Sequence, residues 1–402
     1  MAALCVLLSA ARPAPPADSI LVLISIDGMR YDYPERARAG TFSNLAAGGV
    51  RARRLIPPFP ASTFPSHATL ATGCYPERHG ILNNRFLDRD RGEFDRSEDP
   101  GWLECEPLWV TAEKQGIRSA VLNWIGSYGA WRGTAASLHA SGYQSLTDRE
   151  SVRRILAWLD LPPRDRPGMI LAYFTGVDHA GHAEGPDSPE VDRRVLSVDR
   201  TLKLLLTESA RRGLSERLNL MVVADHGMAA IVGRVDPGSA LARAGIRHRL
   251  LPSGGTANLY LGRAGDRSKA QALLGRLTHL EVYPGPELPR DLRYGFPSRT
   301  GDLVLLTSPG YEIGREREET SRGMHGFRGT EPSMAGIFYA RGPAFVAGSE
   351  IDRLEAVDVA PLACAVLGIP ASPDTQGRVP AGILRNFHRP VRKAPRPSGA
   401  RP

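Results

Sequence analysis

Ile20-Leu21-Val22-Leu23-Ile24-Ser25-Ile26-Asp27-Gly28 is a strand-length apolar run that ends on a carboxylate and a glycine. Two later runs close in the same way. Met169 to Phe174 leads into Asp178-His179-Ala180-Gly181-His182, and Leu220 to Ala224 leads into Asp225-His226-Gly227. Strands that are apolar along their whole length are buried on both faces, as in a parallel sheet covered by helices. Amphipathic segments lie between and after them: Asp148 to Leu159, and Val191 to Ala210 with Val195, Leu196, Val198, Leu202 and Leu206 on one face. The alternation predicts an α/β, doubly wound, mostly parallel sheet flanked by helices. In such a sheet, ligands bind in the crevice at the carboxyl ends of the strands, so the three Asp/His groups are expected to converge there.

Working outward, residues 231–320 change character to short alternating strands rich in Gly and Pro, such as Thr256 to Leu261 and Asp302 to Leu306. They read as a small inserted α+β cap. The chain then returns to sheet and helix with Ala335 to Tyr339 and Val357 to Leu367. Residues 19–388 are therefore expected to form one catalytic domain, of the size a single large α/β domain needs. Before it, Ala2 to Leu8 is a short apolar stretch followed by small residues and a Pro-rich linker, so residues 1–18 resemble an export signal, although no basic residue precedes the apolar stretch. Periplasmic or secreted localisation is the corresponding expectation. Residues 389–402 hold Arg389, Arg392, Lys393, Arg396 and Arg401 with no acid, and read as a disordered tail. Removal of the leader would take Cys5 with it. Cys74 and Cys105 are then candidates for a single disulfide, with buried free thiols the alternative.

Composition excludes several classes. No apolar run approaches the roughly 18 residues of a membrane span. No lysine follows a glycine, no histidine is followed by glutamate, and no two glycines stand two apart. A Walker A loop, an H-E-x-x-H zinc helix and a G-x-G-x-x-G dinucleotide loop are thereby absent. The cysteines form no C-x-x-C pair, and the acidic run Asp88 to Asp99 lacks the glycine and final glutamate of an EF-hand loop, reading instead as a solvated turn. The formal charge of +8 invites a nucleic-acid reading, but all basic residues except Lys114, Lys203, Lys269 and Lys393 are arginine and the tail carries much of the excess. That pattern implies no basic groove and no stable nucleic-acid complex.

The chemistry rests on the strand ends. Taken singly, an Asp-Gly is ordinarily a turn, an Asp-His pair a solvated loop and an isolated histidine structural; three such groups after three apolar strands are hard to reach by chance. Asp178 and His182 are four apart, on one side of a helical turn, where both can meet one ion. His325 lies in the glycine-flanked Gly323-Met324-His325-Gly326-Phe327. Mixed imidazole and carboxylate donors suit zinc, with manganese or iron as substitutes. Between the first two groups, the segment Pro57-Pro58-Phe59-Pro60-Ala61-Ser62-Thr63-Phe64-Pro65-Ser66-His67 delivers Thr63 to a helix start. A hydroxyl there can be a cap. It can also be a nucleophile, beside helix-end N–H groups that bind an anion.

These motifs, with Tyr75-Pro76-Glu77-Arg78-His79-Gly80, Glu106-Pro107-Leu108-Trp109 and Asp225-His226-Gly227-Met228, resemble in order the nucleotide pyrophosphatase/phosphodiesterase family of the alkaline phosphatase superfamily, over roughly Leu21 to Leu367. The chain is similar to its compact bacterial members. The resemblance implies an alkaline-phosphatase-like fold, two zinc ions, and hydrolysis of phosphodiester or pyrophosphate bonds in nucleotides with release of a nucleoside 5′-monophosphate. Asp27, Thr63, Asp225 and His226 would surround the ion that activates the nucleophile; Asp178, His182 and His325 would hold the ion that stabilises the leaving oxygen. Thr63 would form a covalent phospho-threonine, and Asn84, with the Thr63 backbone N–H, would contact a phosphoryl oxygen. Phe64 would stack on the nucleobase, with Tyr173 and Tyr143 as further aromatic substrate contacts. His179 would stand behind the ligands, and His67 and His79 are read as structural. The substrate would be a small nucleotide or phosphodiester and the chain a monomer. A phosphomonoesterase or choline-lipid phosphodiesterase of the same superfamily is the alternative, and a non-catalytic phosphate-ester binding protein the rival from another class.

Overall fold

The structure, a computed structural model, describes residues 19–140, 146–315 and 321–385; the expected leader, the basic tail and Tyr143 lie outside the described residues. At its centre are eight strands: β1 (Ile20–Ile26), β2 (Val50–Ile56), β3 (Ser119–Leu122), β4 (Leu138–Ala140), β5 (Met169–Phe174), β6 (Leu218–Val223), β7 (Gly336–Arg341) and β8 (Ser349–Glu355). They form one sheet in the order β8-β2-β7-β6-β1-β5-β3-β4. Only β7 runs against its neighbours, antiparallel to β2 and β6. The remaining pairs are parallel.

Alternation along β1 divides the core. Leu21 and Leu23 face the layer of α2 (Thr63–Thr72), α3 (Leu108–Lys114) and α7 (Val359–Leu367), packing with Leu70, Trp109 and Leu362. Val22 and Ile24 face α1 (Gly40–Gly48), α4 (Asp148–Leu159), α5 (Gly176–Glu184) and α6 (Pro189–Arg211), packing with Phe42, Ile155 and Leu202. This is the doubly wound arrangement expected for strands apolar on both sides. The start of α4 is fixed by a capping box in which Thr147 and Glu150 each bond the other's backbone N–H. β2 and β8 escape an apolar-run reading because they are charged: Arg53 of β2 pairs with Glu350 of β8 at 2.7 Å. Such charges protect a sheet edge from further pairing.

Between Pro237 and Ile313 the chain builds a four-stranded antiparallel sheet from His248–Ser253, Thr256–Leu261, Leu280–Pro284 and Leu303–Thr307. Leu241, Leu259, Leu274 and Leu303 give it a core of its own. Arg299 fastens this layer to the catalytic side. It is 2% exposed, pairs with Asp88 at 2.8 Å and Glu104 at 2.7 Å, and donates to the Gly80 and Trp102 carbonyls. The expectation of a solvated acidic turn holds for Asp90, Asp95 and Asp99, which are exposed, and is corrected at Asp88. Arg85–Asp88 and Gly92–Asp95 form a hairpin, and Asp88 is buried because it answers the Arg299 charge. Cys74 and Cys105 form a disulfide that ties the end of α2 to the approach of α3, and Cys364 is a buried thiol.

Candidate active site

The carboxyl ends of β1, β5 and β6 lie side by side, so Asp27, the start of α5 and Asp225 meet above the sheet. Gly28 turns the chain away from β1 with φ of 64°, and a Cβ there would stand 3.0 Å from the Asp178 backbone. Only glycine allows that approach without strain. The Asp225 carboxylate accepts N–H bonds from Gly28 at 3.1 Å and His226 at 2.9 Å through Oδ1. Its other oxygen therefore points toward the site.

Two groups of donors form there. Asp27, Asp225 and His226 offer ligand atoms that all lie within 4.8 Å of one another, and so do Asp178, His226 and His325. His226 belongs to both. Its Nε2 is 3.4 Å from Asp27 Oδ1 and 3.3 Å from Asp225 Oδ2, and its ring stacks on His325 with centroids 3.8 Å apart. His182 stands beside the second group, with Nε2 at 3.3 Å from Asp178 Oδ1. The Nδ1 atoms of His226 and His182 donate to the Gly227 and Gly323 carbonyls, each at 2.8 Å. A ring anchored by Nδ1–H turns Nε2 inward as the ligand atom, the arrangement typical of metal-binding histidine. His179 takes no part. It is exposed on the outer side of α5, which corrects its expected place behind the ligands.

Electrostatics identify what the cluster can hold. Asp27 Oδ1, Asp178 Oδ1 and Asp225 Oδ2 are buried oxygens that receive no hydrogen bond. Carboxylates in that condition are costly unless a cation compensates them. Burial, and then the charges of Asp178 and Asp225, hold the Asp27 carboxyl well above the usual carboxylate range. Burial opposes charge on His182 too, but Asp178 beside it raises the imidazole to about 9. Burial and the neighbouring His226 push His325 far down, keeping it neutral. The cluster thus retains protons at Asp27 and His182 that a dication can displace, and the donor set fits metal ions of the zinc class.

Thr63 opens α2, and Ser62 holds the cap position, so Thr63 is not spent on capping. Its Oγ1 lies 3.3 Å from His226 Nε2. Asn84 accepts the Phe64 N–H through Oδ1 at 3.0 Å, which leaves its amide N–H groups as donors beside the start of α2. His67, one turn along α2, is fully buried; its Nδ1 donates to the Thr63 carbonyl at 2.8 Å and stands 3.5 Å from Asp225 Oδ2. The i,i+4 spacing of Thr63 and His67 carried that contact in the sequence.

Two aromatic expectations are corrected. Tyr173 does not line a substrate slot: it is 1% exposed, its ring packs on His67, and its hydroxyl donates to Asp27 Oδ2. It orients the Asp27 carboxylate. Phe64, expected to offer a face to a base, is also 1% exposed and meets Phe94 edge-on at 5.6 Å, while Phe94 stacks on Phe86. The ring belongs to the core beneath Thr63.

A threonine hydroxyl at a helix start, set over paired Asp/His groups at the carboxyl end of a doubly wound sheet, defines a metal-dependent phosphoester hydrolase. The type I phosphodiesterase/nucleotide pyrophosphatase signature matches residues 21–328. The chain belongs to that family. A pyrophosphatase/phosphodiesterase of Schizosaccharomyces pombe is 31% identical over 92% of this chain and 81% of its own length. Human ectonucleotide pyrophosphatase/phosphodiesterase family member 7 is 32% identical over 87% of this chain and 80% of its own. Among solved structures, an inactive variant of murine ectonucleotide pyrophosphatase/phosphodiesterase 5 in complex with AMP is similar with a TM-score of 0.83 and 25% identity, covering 88% of this chain and 96% of that one.

Proposed function

We propose that the protein is a two-zinc nucleotide phosphodiesterase that works through a phospho-threonine and releases a nucleoside 5′-monophosphate. The observation that carries this reading is Thr63 Oγ1 at 3.3 Å from His226, the residue common to both donor groups. Asp27, Asp225 and His226, with Thr63, are assigned to one ion; Asp178, His182 and His325 to the other. Two zinc ions held there would lower the pKa of the hydroxyl and offset charge on the attacking and leaving oxygens. Deprotonated Thr63 Oγ forms a bond to phosphorus as the bond to the leaving oxygen breaks, and that oxygen takes a proton. Water then attacks the phosphorus and Thr63 Oγ leaves, regaining its proton. The N–H groups at the start of α2 and the Asn84 amide orient the phosphoryl oxygens meanwhile.

Nucleotide preference is supported by the family and by the AMP complex of the murine relative, and not by Phe64. Export to the periplasm or beyond is supported by the Cys74–Cys105 bridge, since disulfides persist in oxidising compartments. No helix among the described residues is long and apolar enough to cross a membrane. Residues 231–320 are read as an inserted cap, and the chain as a monomer.

The test is hydrolysis of p-nitrophenyl thymidine 5′-monophosphate, p-nitrophenyl phosphate and p-nitrophenyl phosphorylcholine by the zinc-loaded protein, with Thr63→Ala as control. The nucleotide diester is expected to turn over fastest and the variant to lose activity. Preference for the monoester or the choline ester, or full turnover by Thr63→Ala, would overturn the assignment.

A further inference from the structure

The sheet has a second chemically distinct end. A cavity of about 260 Å³ at the amino ends of β1, β3, β5 and β6 is lined by Ser19, Arg118, Arg164, Arg166 and Arg217. No acidic residue lines it; Asp165, adjacent, pairs with Arg164 at 3.3 Å. Arg118 and Arg166 are held in place through backbone carbonyls, their Nε atoms donating to Asp165 O and Leu161 O at 3.2 Å. Arg164 reaches outward, its side chain 87% exposed. A second cavity of about 620 Å³ opens at the same end, where β7 finishes, and carries Arg341 and Arg385 with Glu216 as its acid.

The described residues begin and end at this face. Ser19, the first described residue, lines the first cavity. Arg385, the last described residue, lines the second, and the residues after it include Arg389, Arg392, Lys393, Arg396 and Arg401 with no acid. The metal-ligating end lies one strand length away, about 20 Å for six or seven residues.

We propose that this arginine-lined end of the sheet docks the protein on an anionic lipid bilayer. The guanidinium groups are spread over two neighbouring cavities, which suits a field of phosphate headgroups better than one free phosphate. No aromatic side chain lines either cavity, so the stacking platform that single-stranded nucleic acid uses is missing. A concentration of basic side chains of this kind is what the negative surface potential of an anionic membrane attracts. Docked this way, the catalytic cluster faces the aqueous phase.

The experiment is sedimentation of the full chain with vesicles of phosphatidylglycerol and phosphatidylcholine, against vesicles of phosphatidylcholine alone, at low and high salt. Each basic residue close to an anionic surface is worth about fivefold in binding. Arg164→Gln with Arg166→Gln is therefore expected to weaken partitioning onto the anionic vesicles on the order of thirtyfold, with unchanged nucleotide hydrolysis and melting temperature. Raising salt should release the wild type. The proposal fails if wild type binds both vesicle types equally, or if the double variant keeps its affinity. It fails equally if duplex DNA is bound with that salt dependence and the vesicles are not.

Discussion

Replacing Tyr173 by phenylalanine tests whether the buried tyrosine serves the metal cluster. The hydroxyl donates to Asp27 Oδ2, and Asp27 Oδ1 has no donor. Tyr173→Phe thus leaves a fully desolvated carboxylate without the bond that orients it. A hydrogen bond to a charged group contributes about 1.5–3 kcal/mol, and loss of such a partner behind a ligand typically weakens metal binding about 10–100-fold. The two figures agree, since a factor of ten is about 1.4 kcal/mol.

The pH dependence carries the diagnosis. Burial and two neighbouring carboxylates raise the Asp27 pKa, and the tyrosine bond lowers it. Without the bond the carboxyl keeps its proton to higher pH, and a metal ion must displace that proton in order to bind. The affinity deficit of Tyr173→Phe should therefore widen as pH falls. Competition between metal-free protein and a chromophoric chelator for zinc, across a range of pH, measures both quantities. An affinity within threefold of wild type at every pH would sink the argument. So would a variant that binds zinc normally and loses only turnover, because Tyr173 would then act on the reaction and not on the ligand.

Three further substitutions probe the frame around the site. Cys105→Ser opens a bridge between residues 31 apart and should lower unfolding free energy by about 3–4 kcal/mol in denaturant titrations; an unchanged midpoint would mean the bridge does not form. Arg299→Met leaves Asp88 buried without its cation and should cost about 3–5 kcal/mol. Adding Asp88→Asn should return part of that loss, and a double variant no more stable than the single one contradicts the reading. His79 is buried between Thr69 Oγ1 and the Ile81 N–H, and burial, then Arg299, pushes its pKa down to about 3. The unfolded chain binds that proton near pH 6.5, so stability is complete above 6.5 and falls toward pH 3, by up to about 1.4 kcal/mol per pH unit. His79→Gln should flatten this acid limb, and identical slopes for both chains from pH 7 to pH 4 would remove His79 as its source.

Much of this architecture was legible because burial on two faces leaves a plain mark. β1 and β5 are apolar runs with the bounds expected, and α4 begins and ends where its amphipathic pattern does. β2 and β8 left no such mark, because the edge strand β8 carries aspartate and glutamate and its inner neighbour β2 carries the arginines that face them. The Asp/His cluster was legible for a topological reason. Parallel strands all end on one side, so residues just beyond three central strands are brought together whatever the loops between them do. Arg299 and its partners were not, since Asp88, Glu104 and Arg299 come from a hairpin, a loop and the antiparallel layer, and no spacing rule connects them.

The two aromatic corrections share a cause. Proximity in sequence to Thr63 or Asp178 shows that a ring is near the site, and says nothing about which way it points. For Tyr173 the parity of β5 holds the answer: Met169, Leu171 and Tyr173 share the face covered by α2, while Ile170, Ala172 and Phe174 face the other layer. A tyrosine at the carboxyl end of a strand, on the nucleophile's side, has its hydroxyl level with the residue that ends the adjacent strand. In register, Phe174 stands opposite Ile26, so the next position along β1 is Asp27. The hydroxyl therefore meets a carboxylate before it could meet a substrate. Phe64 has no such parity to read. Its place follows from the start of α2, where the residue after Thr63 turns into the cluster of Phe86, Phe94 and Trp102. A ring packed edge-on against Phe94 in that cluster holds the start of the helix that carries Thr63, a structural role in place of the substrate contact expected.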